Sequence, residues 1–319
     1  MDIEFKTISE FQAGKRVDGF FIVKKVECKV SSNNKKYLDF TLGDKTGEIN
    51  SKLWNITDED EKFNINTLVK VRGIVTEWQN ALQFKIERIR EVIEEDGVDI
   101  ADFIPVAPFP AEVMYSEIMK YLSKIKNEDI KNIVEYILDD CGEALMYYPA
   151  AKSNHHAVRG GLLYHTTTML KSAEKLCEIY DFLNTDLLYG GIILHDVAKM
   201  EEMASSELGI VSEYTIEGQL LGHIVMGVKK VEMAAEKVGA DSEIKMLLEH
   251  MILAHHYEPE YGSPKKPMIP EAEMLHRLDD LDAKMYDMRK AVQDIEPGQM
   301  SDRIWSLDKR TVYKPLKEI

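Results

Sequence analysis

Between Val17 and Val92 apolar and polar residues alternate in five short runs: VDGFFIVKKVECKV, KYLDFTLGD, GEINSKLWN, TLVKVRGIVTEWQ and ALQFKIERIREV. A period of two is the mark of strands with one buried face. Asn33-Asn34 and the segment Gly43-Asp44-Lys45-Thr46-Gly47 supply turn residues between the early runs. Beyond residue 115 the period lengthens. The segments MLKSAEKLCEIY, GQLLGHIVMGVKKVEMAAEKVG, SEIKMLLEHMILAHH and EAEMLHRLDDLDAKMYDMRKAV each carry apolar residues at i, i+3, i+4 and i+7, the stripe of an amphipathic helix.

Between these regimes lies EEDGVDIADFIPVAPFPAEVMY, residues 94–115, acidic and then interrupted by Pro105, Pro108 and Pro110. Proline withholds a backbone donor, so this stretch reads as a linker. The predicted organisation is a two-domain α+β chain. A five-stranded OB-like β-barrel, the commonest five-stranded closed form, occupies 1–93, the linker 94–115, and an all-α domain 116–319.

Composition narrows the class. With 319 residues, 45% hydrophobic and 30% charged, the chain carries enough apolar material for a core and is not disordered. No run approaches eighteen apolar residues, so no membrane span is expected. The opening MDIEFKTISE lacks the features of a secretory signal. Cys28, Cys141 and Cys177 stand far apart without a CxxC pair, which suits a reduced, cytoplasmic protein. The net charge of −16 is unevenly spread: residues 1–93 hold 16 Lys and Arg against 15 Asp and Glu, and the rest hold 24 against 41. The barrel is near neutral, so acidity does not exclude nucleic acid there.

All nine histidines fall between residues 155 and 276. His165 shares a face with Leu162, Met169 and Ala173, and His223 lines up with Leu220 and Gly227. His255 continues the stripe of Ile244, Leu248, Met251 and Ile252, and Asp279 lies between Leu275 and Asp282. In DLLYGGIILHDVAKM an almost wholly apolar helix ends on His195-Asp196. A buried carboxylate must be neutralised, paired or bound to a cation. One histidine on an apolar face reads as core. An ordered set on separate helices, with His165, His195, Asp196 and Asp279 turned inward, reads as a mixed imidazole–carboxylate metal site suited to Mn, Fe, Zn, Ni or Mg.

The ordered H…HD…D pattern resembles the HD superfamily of metal-dependent phosphohydrolases. With a barrel ahead of it, the chain resembles the YhaM-type 3′-to-5′ exoribonucleases of bacteria. The strings that carry the likeness are PAAKSNHHAVRGGLLYHT, DLLYGGIILHDVAKM, EYTIEGQLLGHIVMGV, LAHHYEPEYGSPKKP and AEMLHRLDDLDAKM. The resemblance implies His165, His195, Asp196 and Asp279 as the main metal ligands. It implies His223 and His255 as ligands of a second ion bridged by Asp196, with His256 and Asp282 as alternatives to His255 and Asp279. Lys199 matches the phosphate-contacting lysine, and Asp196 with Lys199 forms the catalytic pair. Ala198 replaces the usual glycine of HDxGK, a change a helix tolerates. The segment YEPEYGSP lacks the extended signature of cyclic-di-GMP phosphodiesterases, which disfavours that substrate.

The implied activity is 3′-to-5′ hydrolysis of single-stranded RNA, and of single-stranded DNA as a further substrate, to nucleoside monophosphates. One or two divalent transition-metal ions per chain would serve it, manganese foremost. The rivals are a small-nucleotide phosphohydrolase with a regulatory barrel and a nucleic-acid-binding scaffold with a structural metal. Arg159 and His156 read either as holders of the substrate phosphate or as an exposed, capped helix start. Tyr37, Trp54 and Trp78 read first as barrel core and second as base-stacking platforms, with Lys35, Lys36, Lys52, Lys70 and Arg72 near them. Phe20, Phe21, Phe40 and Phe84 read as core. No membrane partner is expected, and the apolar helix faces leave room for a homo-oligomer.

Overall fold

Strand alternation closes into a barrel in the first of two compact units, Met1–Val106. The computed structural model describes residues 4–31, 33–54, 56, 63–79, 81–152, 156–293 and 295–317. Its first strands are β1 (Glu4–Phe5), β2 (Arg16–Val30), β3 (Lys36–Asp44), β4 (Gly47–Trp54), β5 (Leu68–Trp78) and β6 (Ala81–Glu91). β2, β3 and β4 form an antiparallel meander, β4 pairs parallel with β6, and β5 joins β6 antiparallel. Pairing of β2 with β5 closes the sheet, and β1 adds a short parallel edge to β2. This is the five-stranded OB barrel, spanning residues 16–91.

β2 is long enough to serve two neighbours: Arg16–Ile22 face β5, and Ile22–Val30 face β3. The register shifts between Val23 and Lys25, a bulge of the kind that bends a strand around a barrel. Alternate residues fill the interior, among them Phe21, Val23, Phe40, Leu42, Val71 and Phe84. The rings of Phe11, Phe21 and Phe84 pack at centroid distances of 5.3–6.0 Å. Phe20 departs from the expected core. Successive residues of a strand face opposite sides, so with Phe21 inside, Phe20 is half-buried outside under Lys70 Nζ at 5.1 Å.

The second unit, Ala107–Ile319, is helical. It contains α1 (Ala111–Leu122), α2 (Glu128–Cys141), α3 (Gly161–Cys177), α4 (Thr185–Leu194) and the single turn α5 (Lys199–Glu202). After a small hairpin of β7 (Met203–Ser205) and β8 (Val211–Tyr214) come α6 (Ile216–Val238), α7 (Ser242–Ala254) and α8 (Pro270–Gln293). The hairpin is an addition to the helical domain; strands this short leave no readable period. In the stretch read as a linker, α1 starts at Ala111 directly after Pro110, where a proline missing its donor costs a helix nothing. Among the described residues no helix is long and apolar enough to cross a membrane.

Two features of this unit position the site. Asn184 caps α4 by accepting from the backbone N–H groups of Asp186 and Leu187, and Leu187 through Leu194 are all buried. α6, expected as one continuous helix, is broken at Gly222 (φ 71°, ψ 158°). The break shifts the helical phase, so Leu220, expected beside His223, is 77% exposed while His223 is 8% exposed.

Candidate metal centre

α4 is the hub. At Gly191 a Cβ would lie 2.3 Å from Met251 Cε, so the missing side chain lets α7 close onto α4. One turn further along each helix stand His195 and His255, whose rings consequently meet at 5.2 Å between centroids. α3 brings His165 to His195, Nε2 to Nε2, at 3.3 Å. α8 places Asp279 Oδ1 3.2 Å from His165 Nε2. On the other side of Asp196, Oδ1 lies 3.5 Å from His223 Nε2 and 3.8 Å from His255 Nε2. Asp196 Oδ2 lies 3.4 Å from His195 Nε2 and 2.6 Å from Lys199 Nζ.

Protons decide what this cluster can hold. Carbonyl and carboxylate oxygens only accept, so the Nδ1 atom facing each of them must carry the hydrogen. His195 donates from Nδ1 to Ile192 O (2.8 Å), His255 to Ile252 O (2.7 Å) and His256 to Tyr261 O (2.7 Å). His165 donates to Asp282 Oδ2 (2.7 Å) and His223 to Glu202 Oε1 (3.1 Å). In its neutral form each of the five rings therefore offers Nε2 as a lone-pair donor. The facing Nε2 atoms of His165 and His195 require a proton or a cation between them. Among the described residues, Asp196 Oδ1, His223 Nε2 and His255 Nε2 are buried and find no hydrogen-bond partner, an expensive arrangement unless an ion completes it.

Electrostatics agree. Burial opposes ionisation of Asp196, yet Lys199 and the imidazoles hold its carboxyl well below the usual range. Burial likewise opposes the charge on Asp279, and the hydrogen bond with His165 outweighs it and pulls the carboxyl down. Against its own burial, the bonds to Asp279 and Asp282 push His165 up to about 10: without metal, a proton occupies the cation's place. Burial keeps His255 and His256 low and therefore neutral, as ligands must be. The converging donors form one group of His165, His195 and Asp279 and another of Asp196, His223, His255 and His256, with a third of His156, His165 and Asp282 on the Nδ1 side of His165. Nitrogen and oxygen donors around a carboxylate that faces the first two groups fit divalent metal.

The structure thus gathers His165, His195, Asp196, Lys199, His223, His255 and Asp279 at one place, with His256 beside His255 rather than instead of it. Asp282 lies behind His165, on its Nδ1 side, and also accepts from His156 Nε2 at 2.8 Å. His156 is 1% exposed, so it matches neither an exposed helix start nor an open phosphate holder. Arg159 donates to the Glu207 carbonyl and lies 5.5 Å over the Tyr147 ring. Sequence reading missed Glu202; its signal was a carboxylate one helical turn beyond Lys199.

On the barrel, Tyr37 and Trp54 are cross-strand partners with stacked rings 4.5 Å apart. Lys52 Nζ lies 5.8 Å and 5.9 Å over the two rings. Trp54 is 39% and Trp78 63% exposed, which corrects their first reading as core: the alternation that buries Leu53 turns Trp54 outward. Of the nearby cations, Arg72 is paired with Asp18 (2.8 Å) and Lys70 with Asp96 (3.2 Å).

Comparison with known proteins covers both units. The HD domain profile matches residues 162–284, and the OB-fold nucleic acid binding domain profile matches residues 22–92. A third, a helicase profile, matches residues 111–186. A protein named 3′-5′ exoribonuclease YhaM from Geobacillus sp. (strain WCH70) is 40% identical over 98% of this chain and 95% of its own length. Those of the same name from Shouchella clausii (strain KSM-K16) and Bacillus subtilis (strain 168) are each 40% identical over 97% of this chain, covering 97% and 98% of their own lengths.

Proposed function

This chain belongs to the family of the YhaM 3′-5′ exoribonucleases, and from that membership we propose that it shortens single-stranded RNA from the 3′ end, hydrolysing phosphodiester bonds to nucleoside monophosphates. The observation that carries the reading is the convergence of three buried, unsatisfied atoms, Asp196 Oδ1, His223 Nε2 and His255 Nε2, beside the His165–His195–Asp279 group. His165, His195, Asp196 and Asp279 would hold one divalent ion, and Asp196, His223, His255 and His256 a second. Such ions lower the pKa of bound water and offset charge on the phosphoryl oxygens. Manganese is the metal we propose to test first, beside iron, zinc and nickel, because the carboxylates suit manganese, the imidazoles suit the other three, and the two donor groups contain no thiolate.

The residues contribute the rest. The carbonyl of Ile192 and the carboxylates of Asp282 and Glu202 hold His195, His165 and His223 in a single tautomer, so donor positions are set before substrate arrives. Lys199 keeps Asp196 ionised at 2.6 Å and places a fixed positive charge where a substrate phosphate would need one. On the barrel, the Tyr37–Trp54 pair with Lys52 offers ring faces and a cation to bases and backbone. Trp78 offers a further exposed ring. The sparing use of cysteine supports a cytoplasmic setting.

The test is an assay with 3′-labelled and 5′-labelled single-stranded RNA, the same sequence as DNA, and a panel of free nucleotides. Immediate release of labelled mononucleotide from the 3′-labelled strand, with a shortening ladder from the 5′-labelled one, is the expected result. Hydrolysis confined to free nucleotides would replace this reading with a small-nucleotide phosphohydrolase. Binding without hydrolysis in added metal would leave a scaffold.

A further inference from the structure

We propose that Glu202 is a positioning residue for the second metal position, fixing the orientation of His223 through two hydrogen bonds to one carboxylate oxygen. Oε1 of Glu202 accepts from the His223 backbone N–H at 3.0 Å and from His223 Nδ1 at 3.1 Å. The inference rests on the reading of the cluster as a two-ion centre. Glu202 is in none of the three groups of converging metal donors among the described residues, so it acts through His223.

The other imidazoles show why His223 needs such a partner. His195 and His255 are steadied by carbonyls three residues earlier in their own helices, a contact that helix formation supplies. His223 has no equivalent. Gly222, at φ 71° and ψ 158°, breaks α6 immediately before it, a conformation that residues with a Cβ rarely adopt. The helix restarts at His223, whose N–H becomes one of the orphan donors of a helix beginning. A carboxylate there satisfies that donor and favours the positive end of the dipole. The same oxygen then locks the ring, leaving Nε2 turned toward Asp196 Oδ1 at 3.5 Å.

The backbone of Glu202 is itself pinned. Its carbonyl accepts from Thr215 N at 2.9 Å, and a Cβ at Gly218 would lie 2.2 Å from that carbonyl oxygen. Three residues earlier on the same single turn, Lys199 holds Asp196. α5 thus sets two members of the second position with opposite charges: Lys199 places the carboxylate and Glu202 places the imidazole.

Calorimetric titration of the metal-stripped full chain with Mn²⁺ tests this, comparing wild type, Glu202→Ala and Glu202→Gln, with helical content followed by circular dichroism. Wild type should take up two equivalents. Glu202→Ala should keep the first at wild-type affinity and bind the second about 10–100-fold more weakly. Glu202→Gln, whose amide oxygen still accepts but carries no charge, should fall between them. Glu202→Ala binding both ions as wild type does would overturn the proposal, as would equal weakening of both sites. If Glu202→Ala does not fold, Glu202→Gln decides: selective weakening of the second ion supports the role, and unchanged or equal loss overturns it. A single equivalent in wild type would overturn the two-ion reading itself, and this inference with it.

Discussion

The two units solve opposite problems with their polar and aromatic groups. In the helical unit, histidines and carboxylates lie in the interior, and almost every inward-facing atom is oriented by a hydrogen bond behind it. In the barrel, the interior is built on apolar residues around Phe21, Phe40 and Phe84, with Ser51 buried beside Ile49 and Leu53, and the chemistry sits outside, in half-buried Tyr37 stacked on exposed Trp54 and in exposed Trp78. A buried centre gains strength from low dielectric, and each of its members depends on the others. An exposed ring surface gives modest, separable contributions. The difference teaches that damage to the centre should be all-or-none and damage to the surface graded.

The sharpest way to break this contrast is Asp196→Ala. It removes the carboxylate that faces both donor groups and should lower turnover by at least about 10³-fold, with metal content reduced and far-UV circular dichroism little changed. Retained activity with full metal content would refute the central role of Asp196. Stripping the wild-type protein with chelator should have a comparable effect, reversed by Mn²⁺; full activity in excess chelator would end the metal account altogether.

Next in size is a stability effect that separates the two faces of the barrel. Phe84→Ala should cost about 3–5 kcal/mol of folding stability, read as a lowered denaturation midpoint of the barrel. Trp54→Ala should leave that midpoint nearly unchanged and weaken binding of single-stranded RNA by about 1–3 kcal/mol. A Trp54 variant that unfolds the barrel without affecting RNA affinity would return this residue to a structural role.

Smaller still is the effect expected of Lys52→Ala, which removes the cation over the stacked pair. Affinity for single strands should fall several-fold, with the slope of log affinity against log salt shallower by about 0.7, one phosphate contact on a single strand. An unchanged slope would place Lys52 outside the binding surface.

Much of this was legible in the sequence because it is local. A two-residue period marked the barrel strands, a longer period marked α3, α6, α7 and α8, and the ordered histidines and aspartates named the residues that meet at the centre. The linear order could not show how the Nδ1 atoms of His165 and His223 are anchored, because their partners come from elsewhere in the chain: Asp282 lies 117 residues from His165 and Glu202 21 from His223. Nor could it show that α6 breaks at Gly222, since a glycine within a helical pattern is also compatible with an unbroken helix. Whether Trp54 faced the core or the solvent followed from strand phase and barrel closure, as did the loss of Phe20 from the core. Periodicity and composition determined which elements form and which residues carry the chemistry. Packing decided where the lone pairs of His165 and His223 point and which donors meet, because those are properties of contacts between segments and not of any one of them.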